Sequence, residues 1–190
     1  MRGYVREVAQ RIFAQEFRES NLSFKDGDDI YAPQYLLTPT AAKVNRLFIV
    51  GTLTETEDIG TETEYWRGRV SDPTGSFLVY AGQYQPEAAQ MLSECETPSF
   101  VAVVGKPTTF TTQEGDIITS VRPESINVVD EGTRDLWVMD TAENTLDRIE
   151  VLDETQPNIV KANEHYNTDK KYYVELVLKA LESLEEEVIR

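Results

Sequence analysis

The chain has one cysteine and one histidine in 190 residues. A single cysteine, Cys95, excludes an internal disulfide. With only His165 beside it, the four Cys/His ligands of a structural zinc site are not available within this chain. Cys95 lies in MLSECETP, at the end of a predicted helix, where a half-buried thiol is expected. No apolar run approaches the roughly 20 residues needed to span a bilayer. The opening MRGYVREVAQRIFAQEF alternates charged and apolar residues, so it is not read as a signal peptide, and a cytoplasmic protein is expected. Positive charge is also scarce. Eighteen Lys and Arg face 34 Asp and Glu, a net charge of -16, with lysine the rarer cation at seven against eleven arginines. Surface carboxylates with little lysine suit a protein in molar salt, where the Debye length is about 3 Å and repulsion is screened. The alternative is an ordinary acidic protein with acidic tail helices.

The acidity is uneven. Residues 1–44 balance six basic against six acidic side chains; residues 45–130 hold five against thirteen, and residues 131–190 seven against fifteen. This division follows the pattern of predicted elements. In 1–44, Val5, Val8, Ile12, Phe13 and Phe17 recur at helical spacing, which predicts an amphipathic helix over Arg2–Glu19. The Asp26-Gly27 turn signal follows, and then an extended lead-in over Ala32–Lys43, with Tyr35, Leu36 and Leu37 packing on what comes next.

Residues 45–130 predict five strands and one helix. The strands are Arg46–Thr54, Tyr65–Ser71, Ser76–Gly82, Phe100–Phe110, and Ile117 into Val129, with Pro123 as a bend or edge position. The helix, Pro86–Glu94, has proline in its first turn. Three strands, a helix and two strands is the order of an oligonucleotide/oligosaccharide-binding (OB) barrel, with Gly51 and Gly105 at the sharp bends that closure requires. The expected fold is mainly β: a five-stranded OB barrel with an N-terminal helix and C-terminal helices. Beyond Glu131, residues 131–190 turn to 3.6 periodicity. Leu136, Met139, Ala142, Leu146 and Ile149 stripe one helix. Gln156-Pro157-Asn158 separates it from a last helix striped by Tyr173, Leu176, Val177, Ala180, Leu181, Leu184 and Val188. That last face either covers the barrel or pairs with another subunit.

Candidate binding residues come from alternation along the strands. Tyr65, Arg67 and Arg69 share one face of the second strand, with Trp66, Gly68 and Val70 on the other. Arginines avoid a core, so Arg67 and Arg69 point outward, either to phosphates and bases or to neighbouring carboxylates. Trp66, Tyr80, Tyr84 and Phe110 are the aromatic candidates. A base stacked on such a ring gains about 1–3 kcal/mol without drawing on phosphate charge, so stacking persists in brine where ionic contacts fade. Lys106 and Arg122 extend a basic track across the last two strands. Nothing reads as catalytic: Asp72-Pro73-Thr74-Gly75 is a β-turn, and there is no phosphate-cradling glycine loop and no nucleophile motif. An enzyme is not expected, nor any metal or cofactor.

Two stretches carry a resemblance. YLLTPTAAKVNRLFIVGTLTE (Tyr35–Glu55) and WRGRVSDPTGSFLVYAGQYQPEA (Trp66–Ala88) resemble the archaeal replication protein A-associated proteins, encoded beside a single-stranded-DNA-binding subunit in euryarchaea, halophiles included. The resemblance spans roughly residues 1–155. It implies an OB-fold subunit of a replication protein A-like complex in DNA replication and repair, bound to a larger, zinc-bearing, multi-OB partner. It further implies that the C-terminal helix, with Tyr173, Leu176, Val177, Leu181, Leu184 and Val188, enters an inter-subunit bundle. The other reading within such a complex is an assembly module that leaves DNA to its partner. The resemblance does not assign DNA contacts to particular residues; Arg67, Arg69, Trp66, Tyr84, Tyr80, Phe110, Lys106 and Arg122 stand on the reading of the residues.

Overall fold

The structure is a computed structural model that describes residues 7–28 and 30–188, without the side chains of residues 185–188. Five strands close into a barrel: β4 (Leu47–Asp58), β5 (Trp66–Asp72), β6 (Gly75–Ala81), β7 (Ser99–Thr111) and β8 (Ile117–Val128), in the order β4-β5-β6-β8-β7. β4 pairs with both β5 and β7, and the parallel pairing of β6 with β8 sets Val79 beside Val121. This is the OB topology, with helix α2 (Pro86–Glu94) between the third and fourth barrel strands. The alternating apolar positions fill the interior: Ile49, Leu53, Val70, Phe77, Val79, Val101, Val103 and Val121 are all buried. A Cβ on Gly51 would lie 2.4 Å from the Ser71 carbonyl oxygen, so only glycine lets β4 cross β5 there. At Gly105 the register with β8 shifts, setting it against Pro123, which tolerates the missing ladder hydrogen bond.

Two helices pack on the barrel from within the same half of the chain. Leu92 of α2 is fully buried against Gly68, where a Cβ would stand 2.8 Å from its methyl. Helix α1 (Ala14–Glu19) lays Phe17 on Phe77, ring centroids 5.6 Å apart, and Thr119 donates to the Phe17 carbonyl. The N-terminus of α1 is capped from a distance, because the Ala14 N–H donates to Asp72 and the Gln15 N–H to Thr74 Oγ1. The Asp72-Pro73-Thr74-Gly75 turn therefore joins β5 to β6 and holds a helix start as well.

The N-terminal helix is shorter than its pattern predicted. Residues 7–13 run extended, and Gln10 bridges to β4: its N–H donates to the Arg46 carbonyl and its carbonyl accepts from the Phe48 N–H. Pairing with a strand edge overrides the helical period here; Val8 points to solvent, and Val5 falls outside the described residues. The lead-in forms a small antiparallel sheet that the sequence reading did not contain: β1 (Leu22–Lys25), β2 (Gln34–Leu37) and β3 (Lys43–Val44). Tyr35, Leu36 and Leu37 are buried in it.

The C-terminal part forms three helices rather than two: α3 (Glu131–Glu150), α4 (Pro157–Tyr166) and α5 (Lys170–Val188). Asn167, with φ +49°, ends α4 in the left-handed cap conformation. The stripe read on α3 is only partly its buried face. Trp137, Val138, Ala142 and Ile149 go inward together with Arg134, Thr141 and Thr145, whereas Leu136, Met139 and Leu146 are exposed. The two threonines hide their hydroxyls by donating to carbonyls four residues back, Thr141 to Trp137 and Thr145 to Thr141. Trp137 anchors α3 on the barrel, its indole N–H donating to the Phe48 carbonyl at 2.8 Å and its ring edge-on to Phe13.

A buried polar node ties these segments together. Glu16 is wholly buried on α1, accepts from the Thr40 N–H and hydroxyl, and faces Arg148 of α3 at 3.2 Å.

Candidate nucleic-acid interface

The outer face of an OB barrel is read from its second and third strands and from the loops at its mouth; here those are β5, β6, residues 59–65 and residues 112–116. The first loop is fixed from inside. Asp58 accepts from the Gly60 and Tyr65 N–H groups, and these two hydrogen bonds hold its carboxyl below the usual aspartate range. That anchoring delivers Tyr65 to the face, where its ring stacks near-parallel on Tyr80, centroids 5.9 Å apart. Gly82 makes room for it, since a Cβ there would come within 2.8 Å of the Tyr65 ring.

In β6, Phe77, Val79 and Ala81 go inward and leave Leu78 and Tyr80 outside. Directly opposite on β5 stand Arg69 and Arg67. Both arginines face outward as alternation predicts, and both are already paired. Arg67 meets Glu57 at 2.5 Å and Arg69 meets Glu55 at 2.7 Å, each its register partner on β4. The Arg69 hydrogen bond and charge hold the Glu55 carboxyl below its ordinary range.

Trp66 belongs to the other face. It lies opposite Ala81, packs on the core, and its indole N–H is buried without a hydrogen-bond partner among the described residues. As a stacking platform Trp66 is therefore a correction: strand alternation turns it inward, away from Arg67 and Arg69.

The remaining candidates converge. Phe110, 65% exposed, stands near the end of β7 beside Ile118 of β8. With Tyr65, Leu78, Tyr80 and Arg122 they line a cleft of about 550 Å³ whose surface is mainly apolar. Arg122 also borders a smaller cleft of about 320 Å³ that contains Tyr84 and Lys106. Tyr84 is 85% exposed in the turn between β6 and α2. Tyr80, Phe110, Arg122, Tyr84 and Lys106 therefore occupy one continuous surface, with Arg67 and Arg69 at its β5 side. Sequence reasoning missed Leu78, Ile118 and the role of Tyr65; the strand alternation that selected Tyr80 selects Leu78 as well. The surface is not uniformly basic, because Glu62 and Glu64 stand on one loop and Glu114 and Asp116 on the other.

The face of α5 assigned to a partner is turned into the chain itself. Tyr173 and Val177 are buried, Leu176, Leu181 and Leu184 are half-buried against the core, and the Val188 side chain lies outside those described. The Tyr173 hydroxyl donates to Glu19 of α1, and burial together with that carboxylate raises its pKa. Within the chain, α5 thus packs much of its apolar stripe on α3 and the core. Among the described residues, no three His, Cys, Asp or Glu side chains are grouped to hold a metal ion, and no helix is long and apolar enough to cross a membrane.

No protein-family model matches the chain, and no curated protein does. Solved structures similar to it include an OBody, AM2EP06, bound to hen egg-white lysozyme, at 14% identity over 45% of this chain and 80% of that one, TM-score 0.36. Another is Rim1, a mitochondrial single-stranded DNA binding protein of S. cerevisiae, at 22% identity over 45% of this chain and 94% of that one, TM-score 0.33. Likenesses of this extent carry nothing about function. The strand pairing itself is what makes this chain an OB-fold protein.

Proposed function

We propose that this protein is a non-catalytic, single-stranded-DNA-binding OB subunit that holds its ligand mainly by stacking. The observation that carries the reading is the apolar cleft in which Tyr65, Tyr80 and Phe110 gather beside Arg122. Aromatic platforms on an OB face suit any single strand, because every base has a π-face. The resemblance to the archaeal replication protein A-associated proteins supports the finer version, in which the chain serves DNA replication and repair in complex with a larger, zinc-bearing OB partner.

The test is oligo-dT binding by fluorescence anisotropy at molar salt, with Tyr80→Ala and Phe110→Ala. Each substitution is expected to cost about 1–3 kcal/mol, roughly 5- to 150-fold in affinity. Unchanged affinity in both variants overturns the stacking assignment. Competition by oligo-U decides between DNA and RNA.

A second reading, assembly without DNA contact, has its own support. Both β5 arginines are neutralised by glutamates, and α3 leaves Leu136, Met139 and Leu146 exposed along one side. A pure chain that binds no oligo-dT, yet co-purifies with an OB partner, favours it.

A further inference from the structure

Lys106 of β7 and Arg122 of β8 stand directly opposite one another across the antiparallel ladder. Like charges so placed repel. In a chain with 34 acidic side chains, a carboxylate between them would be the ordinary remedy. Nearby cations have that remedy: Lys43 with Asp26, Arg46 with Glu124, Arg67 with Glu57 and Arg69 with Glu55. Among the described residues, Lys106 and Arg122 have no carboxylate within 4 Å.

The pair stands where clefts meet. Arg122 ends the aromatic cleft, and both cations border a further cleft of about 450 Å³ between the β7–β8 ribbon and the small N-terminal sheet. Gln34 and Asn45 form its far wall, with Thr108 and Thr109 on the ribbon side. Thr108 and Thr109 border both clefts, so the two adjoin. Among the described residues, eleven line this further cleft, two of them cationic and none acidic. Two positive side chains thus stand together on a protein whose net charge is -16.

Resting on the stacking reading above, we infer that this cleft is the exit channel of the nucleic-acid strand: Lys106 and Arg122 each take a phosphodiester phosphate of the chain leaving the aromatic cleft, and the β1–β3 sheet walls the nucleotides that follow. The added sheet thereby lengthens the binding track beyond the barrel face. The ligand chemistry is a backbone phosphate flanked by neutral hydrogen-bonding groups, which favours a strand of either sugar type.

The experiment compares oligo-dT of about 4 and about 12 nucleotides, within the range an OB fold accommodates, across a salt series on the full chain. Lys106→Gln and Gln34→Glu are the variants. Gln34 is exposed, and neither position borders the aromatic cleft. For the longer oligomer, Lys106→Gln is expected to make the slope of log K against log salt shallower by about 0.7. That is about a fivefold loss at 0.1 M relative to 1 M salt. Gln34→Glu should weaken the longer oligomer several-fold and leave the shorter one binding as it binds the wild type. If the slope for the longer oligomer is unmoved while the shorter still binds, the channel is refuted and the stacking reading stands. If the wild type binds neither oligomer, both fall together. If millimolar inorganic phosphate shifts the Lys106 and Arg122 resonances and the longer oligomer gains nothing over the shorter, the pair is a free-anion site and the channel is again refuted.

Discussion

The pairing of the β5 arginines makes the salt dependence of binding a sharp quantity. Among the described residues, four cations border the outer face: Arg67, Arg69, Lys106 and Arg122. Glu57 and Glu55 neutralise the first two, which leaves two cations free to meet phosphates. Each phosphate contact on a single strand contributes about -0.7 to the slope of log K against log salt, so two contacts give about -1.4. A tenfold rise in salt then costs roughly 25-fold in affinity. Replacing both acids, Glu55→Gln with Glu57→Gln, releases the arginines. Four contacts give about -2.8, and the same rise in salt costs roughly 600-fold. The assay is anisotropy of labelled oligo-dT from 0.1 to 1 M KCl on both proteins. Arg69 keeps the Glu55 carboxyl ionised well below neutral pH, so protonation does not blur the comparison. A wild-type slope already near -2.8, unmoved by the double substitution, refutes the reasoning: the arginines would then exchange carboxylates for phosphates without resistance.

Two further predictions concern the frame that holds this face. Burial pushes the Asp72 carboxyl up to about 6, against the pull of donors from Ala14, Thr74 and Gly75. The folded protein thus binds this proton more tightly than the unfolded chain does. The contribution is fully present below about pH 4 and is lost as pH rises to about 6, on the order of 2–3 kcal/mol. Urea unfolding across that window should show the decline, and Asp72→Asn should flatten it; an identical pH profile in the variant counts against this assignment. Gly51→Ala drives a methyl into the Ser71 carbonyl and should cost about 1–3 kcal/mol or more. Gly132→Ala in the first turn of α3 meets only Asp130 at 3.8 Å and should cost nothing by the same denaturation assay.

The barrel was legible because its strands are half-buried. Phe77, Val79 and Ala81 alternate with Leu78 and Tyr80 over a whole strand, and Pro86 marks the start of α2. The small sheet was not legible, since β1 and β2 span four residues each, too few for a pattern to mark a strand. The α1 region misled because apolar spacing records which residues are buried, not which backbone they use. Ile12 and Phe13 are indeed buried, but on a segment that borrows hydrogen bonds from β4. On α3, hydropathy counts threonine as polar, although Thr141 and Thr145 satisfy themselves within the helix and pack inward. At the site, alternation found Tyr80, and Phe110 stands near the hairpin tip where the sequence placed it. Alternation sets Trp66 on the face opposite the arginines but does not say which face is the core; the burial of Gly68 and Val70 does. That the arginines would meet Glu55 and Glu57 depended on a register shift between Leu53 and Glu55, which no local pattern announces.

The Glu16–Thr40–Arg148 node bears on anyone who would use this barrel as a scaffold. Cutting the chain after β8 removes Arg148 and leaves a wholly buried carboxylate with no ion-pair partner among the described residues, while Phe13 loses the indole it packs against. An excised barrel should therefore carry an apolar replacement for Glu16 and a polar one for Phe13. In this protein the trimming of a modular fold has to begin with its buried charge.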